Sequence, residues 1–251
     1  MDNLFSISNK VIIVTGGGRG IGRILSEQLA KRGAIVFCLD LHFEKSTLSK
    51  HIYNKKCDVT KISQFSSICK MIFKKYKRID GLINNAGITV PSTTLKYSID
   101  NWRKTLEINL TAVFQSSQIT LEYMKKKKIG SIINITSINA ELAFPKNPAY
   151  VASKGGLKML SKSLARDWGI YGIRVNNLGP GYIKTDMTKK SYNDKNLKKS
   201  RQSRTMLNRW GTVDDLVGPC IFLISDASKY VTGQDIYVDG GWTSSGLQLD
   251  V

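Results

Sequence analysis

A glycine-rich turn near the N-terminus constrains the fold of this chain more than any other stretch. Residues 10–15 (KVIIVT) are a β-branched apolar run typical of a buried strand, and residues 16–22 (GGGRGIG) follow it at once. An amphipathic helix is then predicted over residues 21–31. A helix that begins after such a turn points its free backbone N–H groups at an anion, typically a dinucleotide pyrophosphate. The residues of the turn assigned to cofactor binding are Gly16, Gly18, Arg19, Gly20, Ile21 and Gly22.

The end of the second predicted strand bears on which dinucleotide is bound. Residues 34–39 form this strand, and Asp40 follows it. A carboxylate at this point accepts hydrogen bonds from the adenosine ribose hydroxyls and repels a 2′-phosphate. Arg19 opposes this preference because its guanidinium can pair with a 2′-phosphate. We expect the carboxylate to prevail, so NAD(H) is predicted over NADP(H).

Strands and helices alternate along the whole chain. This alternation predicts an α/β fold, a single Rossmann-type domain over residues 1–251 with a doubly wound, seven-stranded parallel sheet and helices on both faces. Ligands then bind at the carboxyl ends of the strands. Helices are predicted over residues 61–76, 100–124, 149–168 and 212–225, and a mobile polar flap over residues 184–209. Besides the first two, strands are predicted to end near residues 57–59 and to cover residues 79–84, 131–136, 173–178 and 234–238.

Composition and charge narrow the functional classes. No apolar run reaches about 18 residues and the N-terminus lacks a signal-peptide profile, so a cytoplasmic protein is expected. The 4 cysteines show no CxxC spacing and only 2 histidines occur, so neither a disulfide nor a metal site is predicted. The formal charge of +19 suits nucleic acid, but the lysines are scattered and no recognition motif accompanies them. Specific nucleic-acid binding is therefore not expected.

A serine, a tyrosine and a lysine are spaced for acid–base chemistry at Ser137, Tyr150 and Lys154. Ser137 follows the strand at residues 131–136, and Pro148 occupies a favourable first helical position. Tyr150 and Lys154 then lie one turn apart on one helical face. An ammonium about 5 Å away contributes roughly 3 kcal/mol toward a tyrosinate, most of the roughly 4 kcal/mol that a tyrosine base at neutral pH requires. Ser137 would donate a hydrogen bond to the substrate oxygen. The alternative is an ordinary surface Tyr–Lys pair.

Together these motifs make the chain resemble the short-chain dehydrogenase/reductase family over nearly its whole length. The motifs are TGGGRGIG at residues 15–22, NNAG at 84–87, Asn109, Ser137, YVASK at 150–154 and PGYIKT at 180–185. The resemblance implies a catalytic tetrad of Asn109, Ser137, Tyr150 and Lys154. It also implies that Lys154 binds the nicotinamide ribose, that Asn109 helps to hold a water in a proton relay, and that the protein is a homotetramer built on the helices at 100–124 and 149–168.

Further cofactor contacts are expected around these motifs. Asp58 can accept a hydrogen bond from the adenine amino group, and the small Ala86–Gly87 pair allows close backbone approach. A structural turn remains the alternative for the neighbouring asparagines. By the resemblance, Ile183 and Thr185 contact the carboxamide. The remaining assigned positions beside these are Val59, Asn85, Pro180 and Gly181.

The C-terminal part resembles the gluconate 5-dehydrogenase and 2-deoxy-D-gluconate dehydrogenase branch. The residues that carry this likeness are RWG at 209–211, DLVGP at 215–219 and YVDGGW at 237–242. The leading hypothesis is thus an NAD(H)-dependent oxidoreductase that acts on a secondary alcohol or ketone of a sugar acid. One alternative is a 3-oxoacyl-[acyl-carrier-protein] reductase. Another is a non-enzymatic scaffold that senses the cofactor or binds nucleic acid.

The charge of residues 184–209 indicates an anionic substrate. This segment holds 9 lysines and arginines against 2 aspartates. In the family it closes over the substrate, and Arg204 or Arg209 would recognise a carboxylate through two parallel hydrogen bonds. The alternative is a solvated basic helix in a lysine-rich protein. The predicted substrate-binding residues are Ser137, Asn139, Tyr150, Arg204 and Arg209.

Overall fold

A computed structural model of the chain describes residues 4–44 and 50–245. Its strands form one sheet in the order β3-β2-β1-β4-β5-β6-β7, and every neighbouring pair is parallel. The predicted doubly wound, seven-stranded sheet is therefore confirmed. The strands are β1 (Val11–Thr15), β2 (Ile35–Asp40), β3 (Ile52–Lys56), β4 (Gly81–Asn84), β5 (Gly130–Ile135), β6 (Ile173–Pro180) and β7 (Asp235–Val238).

The helices cover both faces of this sheet. They are α1 (Gly20–Lys31), α2 (Ile62–Tyr76), α3 (Ile99–Leu106), α4 (Ala112–Met124), α5 (Pro148–Trp168), α6 (Lys189–Asn193), α7 (Lys195–Ser203) and α8 (Val217–Ile224). Alternate residues of β1 point to opposite faces, so Ile12 packs in a core with α1 and α8, whereas Ile13 packs in a second core with α2, α4 and α5. None of these helices is long and apolar enough to span a membrane.

Three helical predictions need correction. The helix predicted over residues 100–124 is interrupted between α3 and α4 by a π-helical turn at Glu107–Thr111. The flap predicted over residues 184–209 is largely helical, because Asp194 caps α7 by accepting hydrogen bonds from the N–H groups of Asn196 and Leu197. The helix predicted over residues 212–225 begins as a 3₁₀ turn, Val213–Leu216, before α8.

A row of polar side chains crosses the sheet inside the second core. Asn84, Asn134, Asn177 and Asp235 are in register on β4, β5, β6 and β7. The amide of Asn84 donates to Asn134 at 2.8 Å, and the amide of Asn177 donates to Asp235 at 2.7 Å. Ser161 of α5 joins the two pairs, accepting from Asn134 at 2.7 Å and donating to Asn177 at 2.6 Å. Because a register slip would leave these buried groups unpaired, the row fixes the alignment of the strands beneath the site.

The chain reverses its direction across the sheet between β1 and β4. From β1 it proceeds outward through β2 and β3, and then returns to the other side of β1 as β4. Loops that leave two neighbouring strands in opposite directions open a crevice at the carboxyl ends of those strands, where ligands bind in open α/β sheets. The glycine turn follows β1 at this crevice, and residues 85–87 follow β4 beside it.

Candidate active site

Ser137 and Tyr150 are brought together by the connection between β5 and α5. Ser137 follows β5 and caps a 3₁₀ turn, Ile138–Ala140, because its Oγ accepts a hydrogen bond from the Asn139 N–H at 3.2 Å. Pro148 occupies the first turn of α5, as predicted, and Tyr150 lies in the same turn. Ser137 lies close enough to Tyr150 to lower the pKa of the tyrosine, in opposition to burial. The structure thus places the predicted hydroxyl donor beside the predicted acid–base residue.

The protonation of Tyr150 differs from the sequence-based expectation. Burial raises the pKa of Tyr150 above its ordinary value, and the neighbouring Ser137 opposes this only in part. The expected lowering of the tyrosine pKa by Lys154 is not found, and removal of the phenolate from water sets the direction of the shift. Tyr150 therefore holds its proton at neutral pH, which suits a group that donates a proton to a ketone oxygen.

Lys154 is a buried cation at the centre of this site. Its side chain is 4% exposed, its Nζ lies 5.6 Å from the centroid of the Tyr150 ring, and Nζ donates to the Ile135 carbonyl oxygen at 2.6 Å. Burial lowers the pKa of Lys154 to about 8. The hydrogen bond to the end of β5 fixes the ammonium group next to Tyr150.

Asn109 lies in the π-helical turn and is fully buried. Its Nδ2 donates to the Ile88 carbonyl oxygen at 2.9 Å and to Ser153 Oγ at 3.1 Å, while its Oδ1 accepts from the Ile88 N–H at 2.9 Å. The Asn109 side chain therefore joins the segment after β4 to α5, where its partner Ser153 directly precedes Lys154. The extra residue of a π turn redirects side chains at functional sites, and here it directs the amide inward.

The glycine turn fits a dinucleotide cofactor. Gly16 and Gly20 have positive φ angles of 63° and 55°, which favour glycine. A Cβ on Gly18 would collide with the His42 carbonyl oxygen, whereas a Cβ on Gly20 would meet no described atom within 4 Å. The N-terminus of α1 begins at this open side, and its first turn holds no acidic residue. The backbone there can approach and bind a pyrophosphate.

A cleft of roughly 400 Å³ opens beside Gly20. Its lining comes from the start of α1 and from residues 184–193, with Thr185 among them. Thr185 also caps the 3₁₀ turn Asp186–Thr188. Ile183 is buried in the first core, so its side chain is directed away from this cleft and only its backbone can reach a ligand.

Asn85 supports the glycine turn through its side-chain amide. Its Nδ2 donates to the carbonyl oxygens of Thr15 at 3.0 Å and Gly16 at 2.9 Å. The N–H of Ala86 donates to Thr15 Oγ1 at 3.2 Å, and a Cβ on Gly16 would lie 2.9 Å from Ala86 Cα. The Asn85 amide nitrogen therefore binds the segment after β4 to the turn after β1, and a cofactor contact through its other atoms stays a prediction.

The other predicted cofactor residues lie along the carboxyl edge of the sheet. Asp40 Oδ2 accepts from the Gly18 N–H at 2.9 Å. Asp58 Oδ1 accepts from both the N–H and the Oγ1 of Thr60, and Val59 beside it is half-buried. Gly181 follows β6 closely packed against Asp239, where a Cβ would lie 2.6 Å from Asp239 Cα.

The predicted substrate residues differ in their availability. Asn139 Oδ1 accepts a hydrogen bond from Ser137 Oγ at 3.1 Å, so it lies within the site. Arg209 donates to both carboxylate oxygens of Asp215, at 2.8 Å and 2.7 Å. The predicted role of Arg209 is therefore not supported, because its guanidinium is already engaged. Arg204 is exposed, with its guanidinium 5.8 Å from the centroid of the Trp242 ring.

The sequence-based prediction missed an aromatic cluster and the arginine on it. Tyr182 packs against Trp210 and Trp242, with ring centroids 5.3 and 5.0 Å away, and Arg201 lies over Tyr182 at 4.4 Å. Phe144 joins the cluster through contacts with Tyr182 and Trp242. Both tryptophans occur in the RWG and YVDGGW motifs, which gave a signal, but sequence alone does not bring them to one place.

Comparison with known proteins agrees with this geometry. A family model described as enoyl-(acyl carrier protein) reductase matches residues 16–243. The chain is 37% identical to gluconate 5-dehydrogenase of Gluconobacter oxydans (strain 621H) over 97% of its length and 98% of that protein, and 34% identical to 5-keto-D-gluconate 5-reductase of Escherichia coli (strain K12) over 96% and 98%.

Among solved structures, a gluconate 5-dehydrogenase from Burkholderia cenocepacia J2315 in complex with NADP and tartrate is similar. Its TM-score is 0.91 at 34% identity, covering 97% of this chain and 99% of that one. Fold, site and full-length similarity agree, and the chain belongs to the short-chain dehydrogenase/reductase family of nicotinamide-dependent oxidoreductases.

Proposed function

We propose that this protein is a dehydrogenase that interconverts a secondary alcohol and a ketone on a sugar acid. The observation that carries the proposal is the assembly of Ser137, Tyr150 and Lys154 on one side of the crevice, with Asn109 bracing the segment beside them. The sugar-acid class is supported by the Gluconobacter and Escherichia relatives, whose names specify gluconate and 5-keto-D-gluconate. The tartrate in the Burkholderia structure is itself a hydroxy acid.

The residues of the site divide the proton chemistry between them. In ketone reduction, Tyr150 donates its phenolic proton to the substrate oxygen while Ser137 donates a hydrogen bond to the same oxygen. In alcohol oxidation, Tyr150 accepts the hydroxyl proton. Lys154 stabilises the phenolate that remains after donation, because its ammonium lies on the same helical face. The nicotinamide cofactor, when bound, supplies or accepts the hydride.

Replacement of Tyr150 tests this assignment. Tyr150→Phe removes the proton donor and keeps the ring, so kcat for reduction of 5-keto-D-gluconate should fall by at least about 10³-fold. NADH binding, followed by fluorescence titration, should change little. Activity within tenfold of the wild type would contradict the role of Tyr150. A wild-type protein that reduces a 3-oxoacyl thioester and not the keto acid would support the acyl-carrier-protein alternative.

For the cofactor, we propose NAD(H) as the preferred form. Asp40 is fixed by hydrogen bonds from the Gly18 and Leu41 N–H groups, at 2.9 and 2.7 Å. Glu44 lies nearby, with its N–H donating to the Gly18 carbonyl oxygen and its carboxylate 3.1 Å from Arg23. Two carboxylates beside the glycine turn disfavour a 2′-phosphate. The NADP of the Burkholderia structure supports the opposite preference, which Arg19 would provide here.

A pair of substitutions separates these two cofactor preferences. The ratio of kcat/KM for NADH to that for NADPH should exceed 1 in the wild type, and Asp40→Ala should lower it by at least about tenfold, the effect of removing one charge–charge repulsion. Arg19→Ala is the matched control and should raise or preserve the ratio. A wild-type preference for NADPH that Arg19→Ala abolishes would refute the proposal.

We further propose that the protein forms a homotetramer in the cytoplasm, through the helical faces of α4 and α5. Met159 on α5 is 61% exposed and Phe114 on α4 is 40% exposed, which supports burial of these faces between subunits. Light scattering at micromolar protein tests the assembly. Met159→Glu should shift the mass toward smaller species, and an unchanged tetramer, or a monomeric wild type, would contradict this interface.

A further inference from the structure

An aromatic floor lies at the carboxyl ends of the last three strands. We use this name for Phe144, Tyr182, Trp210 and Trp242. Tyr182 follows β6, Trp242 follows β7, and Phe144 lies in the segment that joins Ser137 to Tyr150. The Phe144 ring centroid is 6.0 Å from that of Tyr182 and 6.2 Å from that of Trp242. The floor is therefore continuous with the segment that carries both active-site hydroxyls.

Two arginines lie over this floor. The Arg201 guanidinium carbon is 4.4 Å from the Tyr182 ring centroid and 6.0 Å from that of Trp210. The Arg204 guanidinium carbon is 5.8 Å from the Trp242 ring centroid. Both arginines come from the end of α7, in the segment over which the predicted flap extends. Stacking on rings uses the faces of a guanidinium and leaves its in-plane N–H groups available.

No carboxylate in the described part of the chain neutralises these two cations. Within residues 4–44 and 50–245, neither Arg201 nor Arg204 forms an ion pair with a carboxylate, whereas Arg209 is held by Asp215. The Arg201 guanidinium is positioned instead by the Tyr182 ring, whose centroid lies 4.4 Å away, and this contact leaves its charge in place. Two guanidinium groups that are held on aromatic rings, with no carboxylate partner among the described residues, can recognise a carboxylate of a ligand.

We propose that Arg201 and Arg204, held on the aromatic floor, form the binding site for the carboxylate of the substrate. This proposal rests on the proposed action on a sugar acid. It assigns the substrate carboxylate to Arg201 and Arg204 instead of to Arg209. The planar guanidinium groups bind the two carboxylate oxygens, while the floor excludes water from one side and strengthens the interaction. The polyol chain of the substrate then extends from the floor toward Ser137 and Tyr150.

The test compares an acid with its neutral amide. D-gluconate and D-gluconamide carry the same hydroxyl groups and differ in charge at C1. Arg201→Gln and Arg204→Gln should each raise KM for D-gluconate by about tenfold or more, the effect of losing a charge-assisted hydrogen bond, and leave KM for D-gluconamide within about threefold. Arg201→Lys keeps the charge without the planar fork and should give an intermediate value. Lys199→Gln, an exposed position on α7, is the matched control for charge and should change neither.

A binding measurement separates this inference from the proposed function. Trp210 and Trp242 belong to the floor, so tryptophan fluorescence should change on addition of D-gluconate or tartrate, with saturation, and Arg201→Gln should remove the change. Saturable binding that depends on the two arginines supports the proposed carboxylate site. If such binding occurs but D-gluconate is not oxidised, the proposed function fails and the carboxylate site stands. Equal loss with acid and amide, or acid binding unaffected by both variants, overturns the inference.

Discussion

The buried ammonium of Lys154 should destabilise the protein in a pH-dependent way. Its pKa is lowered by burial from the ordinary 10.5 to about 8. At 1.36 kcal/mol for each pKa unit, the difference corresponds to about 3 kcal/mol. The folded state binds fewer protons than the unfolded state between these two values. This penalty is thus fully present below pH 8, and stability is regained as the pH rises through the window toward 10.5.

Lys154→Met isolates this effect. Methionine keeps much of the apolar volume and cannot carry charge, but it leaves the Ile135 carbonyl oxygen without its 2.6 Å hydrogen bond, which costs about 1–3 kcal/mol. The net change at pH 7 is therefore small, up to about 2 kcal/mol of stabilisation. The informative quantity is the difference in unfolding free energy between wild type and variant. It should shift by about 3 kcal/mol in favour of the wild type between pH 7 and pH 10.5.

Chemical denaturation at several pH values measures this difference. The background titration of the other lysines is common to both proteins and cancels. Lys199→Met, at an exposed position, provides the control and should give a difference that does not vary with pH. If the difference for Lys154→Met is equally constant, the ammonium is not penalised by burial and the reasoning fails. Lys154→Met should also lose catalytic activity, because Lys154 is required for function although its buried charge lowers the stability of the protein.

Three further predictions follow from the site and the sheet. Gly18→Ala should weaken NADH binding by at least about tenfold in a fluorescence titration, because the added methyl group collides with the backbone. Gly155→Ala has open space around it and should stabilise α5 by up to about 1 kcal/mol. Equal NADH affinity in the two variants would contradict the prediction for Gly18. Asn177→Leu should lower the unfolding free energy by about 3 kcal/mol, since Ser161 and Asp235 lose buried partners, and a change below about 1 kcal/mol would refute the role of the polar row. Because burial raises the pKa of Tyr150, the rate of alcohol oxidation should rise with pH above neutrality while the rate of ketone reduction stays constant until the pH approaches that pKa. A parallel response of the two directions would contradict this.

Local patterns were sufficient to predict the sheet and the positions of the reacting groups. The β-branched run before the glycine turn predicted β1, and Pro148 predicted the start of α5, because both signals act over a few residues. The spacing of Tyr150 and Lys154 placed them on one helical face for the same reason. These features depend on backbone geometry within one element, which the sequence specifies directly.

Interactions between distant segments were decided by the tertiary structure. Sequence alone ranked Arg209 beside Arg204 as a carboxylate ligand, since charge and position in the flap were the only criteria. The fold placed Asp215 against Arg209 and directed Arg201 over Tyr182. Which of these arginines has a carboxylate partner among the described residues depends on contacts between separate loops, and no spacing along the chain reports those contacts.

The direction in which the pKa of Tyr150 shifts likewise depended on the tertiary structure, although the sequence predicted which groups meet. The sequence supplied the neighbouring ammonium, and Coulomb's law then predicted a lower pKa for the tyrosine. The tertiary structure supplied burial, which raises the pKa of Tyr150 and lowers that of Lys154 by removing both groups from water. The sequence therefore determined which groups meet, whereas packing around them determined how much solvent remains, and solvent decides which protonation state each group holds.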